Sequence, residues 1–391
     1  MTSFTIESLR AAVEGTPLSE WEDAVTTITQ QRAAVGEFLR AGGHAYGFST
    51  FLGHLDKFAV EEAQNLDIFH AHLVGSPQEL NAREMTAITV MKLCQAAQGG
   101  SGLSPEAYQQ LREFHAHPRE GRVDLQASYG SGDVVPAAWW TNSVFQLELT
   151  AHDARSVFRS GDVIALINGS FIPQGFILAH LAELEEAFAT TTTLLQEAHA
   201  IIGASDVQLS VSLRDLGPLE HALSDALSRL TAALSASASR TSANPRFVFG
   251  ADGPSGTRAE SNASFLDFTF TSALEQYASA MVVASAYLRS ATWWVSQHGE
   301  LRDGEVGHGV YFVQPPKISK AYYDRLTAAL SSAPPVVQAE SNEVEDIGDG
   351  ALHRAHTIVS ALPLLLKQQR LLATALTAVR GPAGQRPRFE V

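Results

Sequence analysis

Four segments of this 391-residue chain gather side chains that a packed core has no need of. Gly43-His44-Ala45-Tyr46-Gly47-Phe48-Ser49-Thr50 sets a phenol beside a glycine, and Ala127-Ser128-Tyr129-Gly130-Ser131-Gly132-Asp133-Val134-Val135-Pro136 sets a hydroxyl between two glycines and next to a carboxylate. Ala165-Leu166-Ile167-Asn168-Gly169-Ser170 places Asn-Gly inside an apolar run, and Ser341-Asn342-Glu343-Val344-Glu345-Asp346-Ile347-Gly348 is a polar cluster. Each has a plain structural reading: Asp133 as the N-cap of a helix entry, Asn168-Gly169 as a turn, Tyr46 as a buried phenol capping a helix. Each also has a chemical one, because a positioned phenol moves protons and a buried carboxylate at 343 becomes a general base. A repeated Phe-His-Ala-His at 69–72 and 114–117 adds two His-x-His pairs, His70/His72 and His115/His117. That spacing suits metal ligands on a strand. The first pair falls in a helical pattern, where residues two apart face different ways, so no metal site is expected.

The elements that must position these groups are mostly helices. Apolar residues at i, i+3, i+4 and i+7 predict helices over roughly 18–41, 58–75, 84–98, 176–200, 216–237, 271–298, 318–331 and 351–379. Ser210 to Arg240 reads as one helix, and no alternating β-branched run competes, so the fold class is mainly α. Glycine-rich stretches at 99–102, 129–133 and 250–256 read as connections, and 250–264 as a small-residue loop. The expected division is an N-terminal part, 1–200, carrying the motifs, a helical bundle and oligomerisation part, 201–380, and a frayed tail, 381–391.

Composition narrows the function classes. With 27 Lys+Arg against 42 Asp+Glu the net charge is −15, which excludes a general nucleic-acid binder. The single cysteine, Cys94, rules out an intramolecular disulfide and a cysteine-based zinc site, and points to a reducing, cytoplasmic setting. Hydrophobic residues make up 45% and charged residues 18%, so extensive burial within or between subunits is expected. The most apolar stretch, 163–182, is interrupted by Asn168, Gln174 and His180, and Met1–Arg10 has no basic region ahead of an apolar run. The expectation is a chain that is neither exported nor membrane-bound.

The order of the motifs resembles the aromatic amino acid lyase family, the histidine and phenylalanine ammonia-lyases and related aminomutases. The resemblance is carried by Tyr46-Gly47-Phe48-Ser49-Thr50-Phe51-Leu52-Gly53, Ala71-His72-Leu73-Val74-Gly75, Gly99-Gly100-Ser101-Gly102, Tyr129-Gly130-Ser131-Gly132-Asp133-Val134-Val135-Pro136 and Ile164-Ala165-Leu166-Ile167-Asn168-Gly169. Ser242-Ala243-Asn244-Pro245 and Ser341-Asn342-Glu343 match weaker late segments. It implies a long-helix bundle of the ammonia-lyase (fumarase/aspartase-like) type, oligomeric, with active sites assembled from several subunits of a homotetramer. It also implies no external cofactor, the electrophile being a methylidene-imidazolone formed autocatalytically, here from Gly130-Ser131-Gly132. Tyr46 matches the tyrosine that removes the β-proton, a role that needs its pKa lowered by neighbouring dipoles or cations. Asn168 matches the asparagine that steadies the electrophile, and His72, beside Leu73, the position that selects substrate. Phe48, Tyr129 and Glu343 complete the expected substrate-binding set, with His44, Glu343 and Glu345 able to face Tyr46 from another chain.

Three departures bear on the chemistry. Gly130 stands where the family has alanine, and Tyr129 where it has a small glycine. The family's Gln-Asp-x-Tyr-Ser-x-Arg loop, whose arginine clamps the substrate carboxylate, has no counterpart between 210 and 245. The chain is shorter than typical members. The reading is a divergent lyase or aminomutase acting by elimination or addition on an amine or amino-acid-derived small molecule, either carried on a protein or lacking the carboxylate. The alternatives on the same scaffold are an electrophile-free cyclase, dehydratase or isomerase using Tyr46, His72 and Glu343, or a non-catalytic partner subunit.

Overall fold

The computed structural model describes residues 2–61, 64–146, 158–202, 209–250, 253–302, 309–331, 337–340, 344–381 and 388–389. Thirteen α-helices are found among them: α1 Ile6–Val13, α2 Ser19–Arg40, α3 Asn65–Ala71, α4 Ala82–Ala97, α5 Pro105–Ala116, α6 Val134–Phe145, α7 Asp162–Ile167, α8 Phe171–Ile202, α9 Val211–Arg214, α10 Gly217–Ala238, α11 Phe268–Arg302, α12 Pro315–Leu330 and α13 Ala351–Arg380. Most predicted helices are therefore present. Three small antiparallel pairs accompany them, Gln78–Leu80 with Gly121–Val123, Arg246–Gly250 with Gly253–Glu260, and Val337–Glu340 with Glu345–Ile347. They are the β1 to β6 strands in chain order.

Several local expectations are corrected. The helix expected over 58–75 is only the seven residues of α3, preceded by a 3-10 turn at Gly53–Leu55. The single helix over 210–240 is broken after α9, where the Asp215 carboxylate accepts the Gly217 N–H at 2.9 Å and Pro218 lies in the first turn of the next helix. The small-residue loop at 250–264 is largely a hairpin. Its backbones lie so close that a Cβ on Gly250 would sit 2.9 Å from the Gly256 Cα. Asp133 does precede α6, but in a left-handed conformation (φ 48°) and without a capping hydrogen bond from its side chain.

Chain contacts divide the molecule into two units that interleave in sequence, where a contiguous cut at residue 200 was expected. The first comprises Met1–Ala179, Thr231–Ser272 and Pro334–His356, and the second His180–Leu230, Ala273–Ala333 and Thr357–Val391. The axis of the first unit is α4. Asn81 and Glu84 cap it reciprocally, and Met85 to Ala96 are buried on every face of the helix. Burial on every face leaves no room for free charge, yet Lys92 lies there.

The second unit is helical throughout its described residues apart from short connections. Phe188 and Tyr277 stack with centroids 4.6 Å apart, and the Tyr277 hydroxyl donates to the Leu184 carbonyl at 2.9 Å. Gln369 donates to the Ala187 carbonyl at 2.6 Å and to the Thr191 hydroxyl at 2.9 Å. Such pairings let a long helix bury polar side chains without leaving them unsatisfied.

Candidate active site

The sequence motifs converge because α7 is held at both ends. At its start the buried Asp162 carboxylate accepts the Ser104 N–H (2.8 Å), the Ser104 hydroxyl (2.7 Å) and the Arg159 N–H (2.8 Å). At its end the Lys92 ammonium donates to the carbonyls of Ala165 (2.6 Å) and Asn168 (3.2 Å), and lies 4.4 Å from the Phe171 ring centroid. Burial pushes the Lys92 pKa down to about 7. Asn168 leaves the helix in extended conformation, so its amide is presented at a fixed point.

Three pieces of chain meet that point. Gly47 has φ +69°, and a Cβ there would fall 2.8 Å from Ile164 and Leu52; only glycine lets the Tyr46 turn approach α7 so closely. On the other side is the Gly130-Ser131-Gly132 turn, with Gly130 at φ +84°, Gly132 at φ +78° and Ser131 buried. The Asn168 amide nitrogen lies 3.1 Å from where a Gly132 Cβ would be, and the Gly169 N–H donates to the Gly132 carbonyl at 3.3 Å. The third piece is Glu345–Ile347 and the residues after it, whose Asp349 N–H donates to the Gly130 carbonyl at 3.0 Å.

Between them lies a cavity of about 380 Å³. Tyr46, His72, Tyr129 and Asn168 all line it, as the sequence analysis expects. The other expected substrate contacts fall elsewhere. Phe48 is a core residue, edge-on to Phe247 at 4.9 Å and beneath Arg32, and Leu73 lies just beyond the end of α3, outside the lining. Glu343 lies outside the described residues, together with Ser341 and Asn342. Glu345 does line the cavity, and it faces Tyr46 within one chain, not from a neighbour. His54 and Asp67 also line it, unforeseen because no motif marks them. Lys92 and Asp349 were missed as well, although a lone lysine in an apolar helix and the triplet Gly348-Asp349-Gly350 were legible signals.

The electrostatics correct one expectation. Tyr46 accepts the Gly53 N–H at 2.7 Å, which favours its ionised form, but burial dominates and the Glu345 and Asp56 carboxylates add to it, so its pKa is raised, not lowered. Burial and Glu345 likewise push the Tyr129 phenol up; its hydroxyl lies 3.5 Å from a Glu345 oxygen. His72 Nδ1 lies 2.7 Å from the Ile68 carbonyl, which fixes that nitrogen as the donor and leaves Nε2 with a lone pair. Asp133, taking a hydrogen bond from Ser128, is raised by burial and by the nearby Asp349 carboxylate. Among the described residues, no Arg or Lys lines the cavity and no cluster of His, Cys, Asp or Glu could hold a metal ion.

The Gly130-Ser131-Gly132 turn fits a backbone-derived electrophile. Both glycines adopt the left-handed conformation that a tight turn needs, and among the described residues no acceptor takes the Gly132 N–H, the nitrogen that must close the ring. Beside Gly132 lies the Asn168 side-chain amide nitrogen, a donor suited to the acceptor atoms such a ring presents, while the buried Asn168 Oδ1 has no hydrogen-bond partner and is open to a donor on a bound molecule.

Comparison with known proteins bears on the fold and on the N-terminal part of the chain. Residues 4–145 match the model of the aromatic amino acid lyase family. A histidine ammonia-lyase of Aromatoleum aromaticum is 27% identical over 209 residues, 48% of this chain but only 39% of that relative's length. The fold superposes on phenylalanine aminomutase of Pantoea agglomerans with a TM-score of 0.76 at 15% identity, covering 98% of this chain and 90% of the other. It also superposes on the ergothioneine-degrading ergothionase of Treponema denticola, solved with desmethyl-ergothioneine sulfonic acid, with a TM-score of 0.79 at 13% identity and coverage of 98% and 90%. No helix among the described residues is long and apolar enough to cross a membrane.

Proposed function

We propose that this chain is a member of the aromatic amino acid lyase family, as its match over residues 4–145 supports, and that it is a carbon–nitrogen lyase or aminomutase whose substrate is a small cationic amine without a clamped carboxylate. The observation that carries the reading is the cavity in which Tyr46, Tyr129, His72, Glu345 and Asn168 converge beside the Gly130-Ser131-Gly132 turn. A methylidene-imidazolone formed at that turn would supply an electrophile for activating a substrate amine as a leaving group.

The chain's own residues supply the rest. The Tyr46 hydroxyl, its pKa raised, keeps its proton at neutral pH and has it available to donate, since its bond with Gly53 uses only an oxygen lone pair. The acceptors facing the cavity are the carboxylates of Glu345 and Asp67 and the lone pair of His72 Nε2. Two acidic side chains with no lining Arg or Lys among the described residues disfavour an anionic substrate and favour an ammonium group. Asn168, held through its carbonyl by Lys92, orients the group at Gly132.

The test is the intact mass of the native protein against Ser131→Ala, with ammonium release measured over a panel of amines and amino acids. The expected result is a wild-type mass short by two waters, a deficit absent from the variant, with release confined to the wild type and strongest for amines without a carboxylate. A wild type of full mass that still turns over substrate would overturn the electrophile and move the chemistry to Tyr46, His72 and Glu345.

A further inference from the structure

We propose that the backbone of Gly348-Asp349-Gly350 promotes ring closure at Gly130-Ser131-Gly132 by gripping the Gly130 carbonyl, and that residue 130 is glycine because a methyl group there would crowd this grip from a left-handed backbone. The inference rests on the electrophile reading above.

Ring closure begins when the Gly132 nitrogen adds to the Gly130 carbonyl carbon. The new N–C bond forms, the carbonyl electron pair moves onto oxygen, and the Gly132 proton follows it. That oxygen then leaves with the Ser131 N–H proton as one water. The Ser131 hydroxyl leaves with the α-proton as the second, and no oxidant or co-reactant is consumed. Negative charge therefore grows on the Gly130 oxygen, the atom to which the Asp349 N–H donates at 3.0 Å. A fixed backbone donor aimed at developing charge stabilises the transition state without reorganising.

The donor is fixed by its own side chain. One Asp349 carboxylate oxygen accepts the Asp267 N–H at 2.8 Å and the other accepts the Ala351 N–H at 3.0 Å. Asp267 is in turn paired with Arg240 at 2.9 Å. Contact between the two backbones is as close as glycine permits: a Cβ on Gly348 would lie 3.0 Å from both the carbon and the oxygen of the Gly130 carbonyl. Conversely a Cβ on Gly130 would lie 3.3 Å from the Gly348 Cα and 3.4 Å from the Gly350 nitrogen, at a φ of +84° that disfavours any side chain. Asp349 and the glycine pair are thus positioning residues for the cyclisation, and the alanine expected at 130 would oppose it in this chain.

The experiment compares the intact masses of wild type, Gly130→Ala and Gly348→Ala, with Ser131→Ala as the unmodified reference and near-UV circular dichroism on each. Gly348 lies outside the left-handed region, so alanine there adds only the methyl aimed at Gly130. Wild type is expected to be two waters short, while both alanine variants keep a native near-UV spectrum and lose the deficit in most chains. Either folded variant carrying the deficit in the wild-type proportion overturns the inference and leaves the function reading intact. An unfolded Gly348→Ala also overturns it, since the argument lets the methyl displace only the Gly130 carbonyl. A full-mass wild type removes both.

Discussion

The two units bury polar groups of different kinds. Among the described residues, every buried side chain of Asp, Lys or Arg lies in the first unit: Lys92, Asp124, Asp133, Asp162, Asp267, Asp349 and Arg354. The second buries only neutral polar groups, Thr191, Ser285, Thr292, Ser296, Ser319, Gln368 and Gln369. Neutral groups that find partners cost little, whereas a buried charge is destabilising unless its surroundings compensate. A chain that buries seven such ionisable side chains in one unit and, among the described residues, none in the other has a local reason for them. The reason is legible in their positions: Lys92 and Asp162 hold the ends of α7, Asp349 holds the Gly130 carbonyl's donor, and Asp133 adjoins the Gly130-Ser131-Gly132 turn.

The contrast can be broken most forcefully at Asp267, which accepts hydrogen bonds from Gln174 and Ser237 and pairs with Arg240. Asp267→Ala removes one partner of a buried network and is expected to lower stability by about 3–5 kcal/mol in a denaturant titration. It should also reduce the two-water mass deficit, because the lost carboxylate anchors the stretch of backbone whose 267 N–H holds Asp349. A stability loss under about 1 kcal/mol would show that the charges in the first unit are not coupled to one another.

Leu372→Ala sharpens the other side of the comparison. The residue is fully buried in the second unit, so the truncation should cost about 2–5 kcal/mol. The mass of the folded protein should nonetheless match wild type. A lost deficit at equal foldedness would mean that cyclisation reads the packing of the whole molecule and not the first unit's charges.

The smallest effect is a slope. Lys92 has a native pKa of about 7, below its value in the unfolded chain, so it releases its proton on folding through the interval from about pH 7 to 10. Its contribution is complete above the unfolded value and is lost as pH falls toward 7. Lys92→Met should therefore give a wild-type-minus-variant stability difference that grows by about 1.4 kcal/mol per pH unit across that interval, on top of a constant loss from the two carbonyls left unpaired. Chemical denaturation at pH 7, 8 and 9 measures it, and a flat difference would show that the ammonium stays charged in the fold.

How much of this was readable beforehand depended on the range of the interaction. The long helices were legible because each repeats its apolar face every turn, and the Tyr46, Ser131 and Asn168 motifs because each is a short contiguous string. The seven-residue α3 misled, since an apolar pattern over 58–75 does not say how much of that stretch folds as helix. Phe48 misled for a related reason: adjacency to Tyr46 placed it near the site, but the turn points it away into Phe247. Tyr46 was placed correctly at the cavity while its electrostatics were reversed, because burial and the Glu345 carboxylate arrive from residues far along the chain.

By itself the sequence determined the helical class and the order of the motifs, and its single cysteine leaves no pair for an intramolecular disulfide. These follow from composition, periodicity and local spacing, which are properties of the chain before it folds. Only the tertiary structure decided that Glu345 meets Tyr46 within one chain, that Lys92 is buried behind Asn168, and that Gly130 lies against Gly348. Each of those depends on two segments far apart in sequence approaching to within a few ångströms, and the distance dependence of packing and electrostatics leaves no trace of that approach in either segment alone.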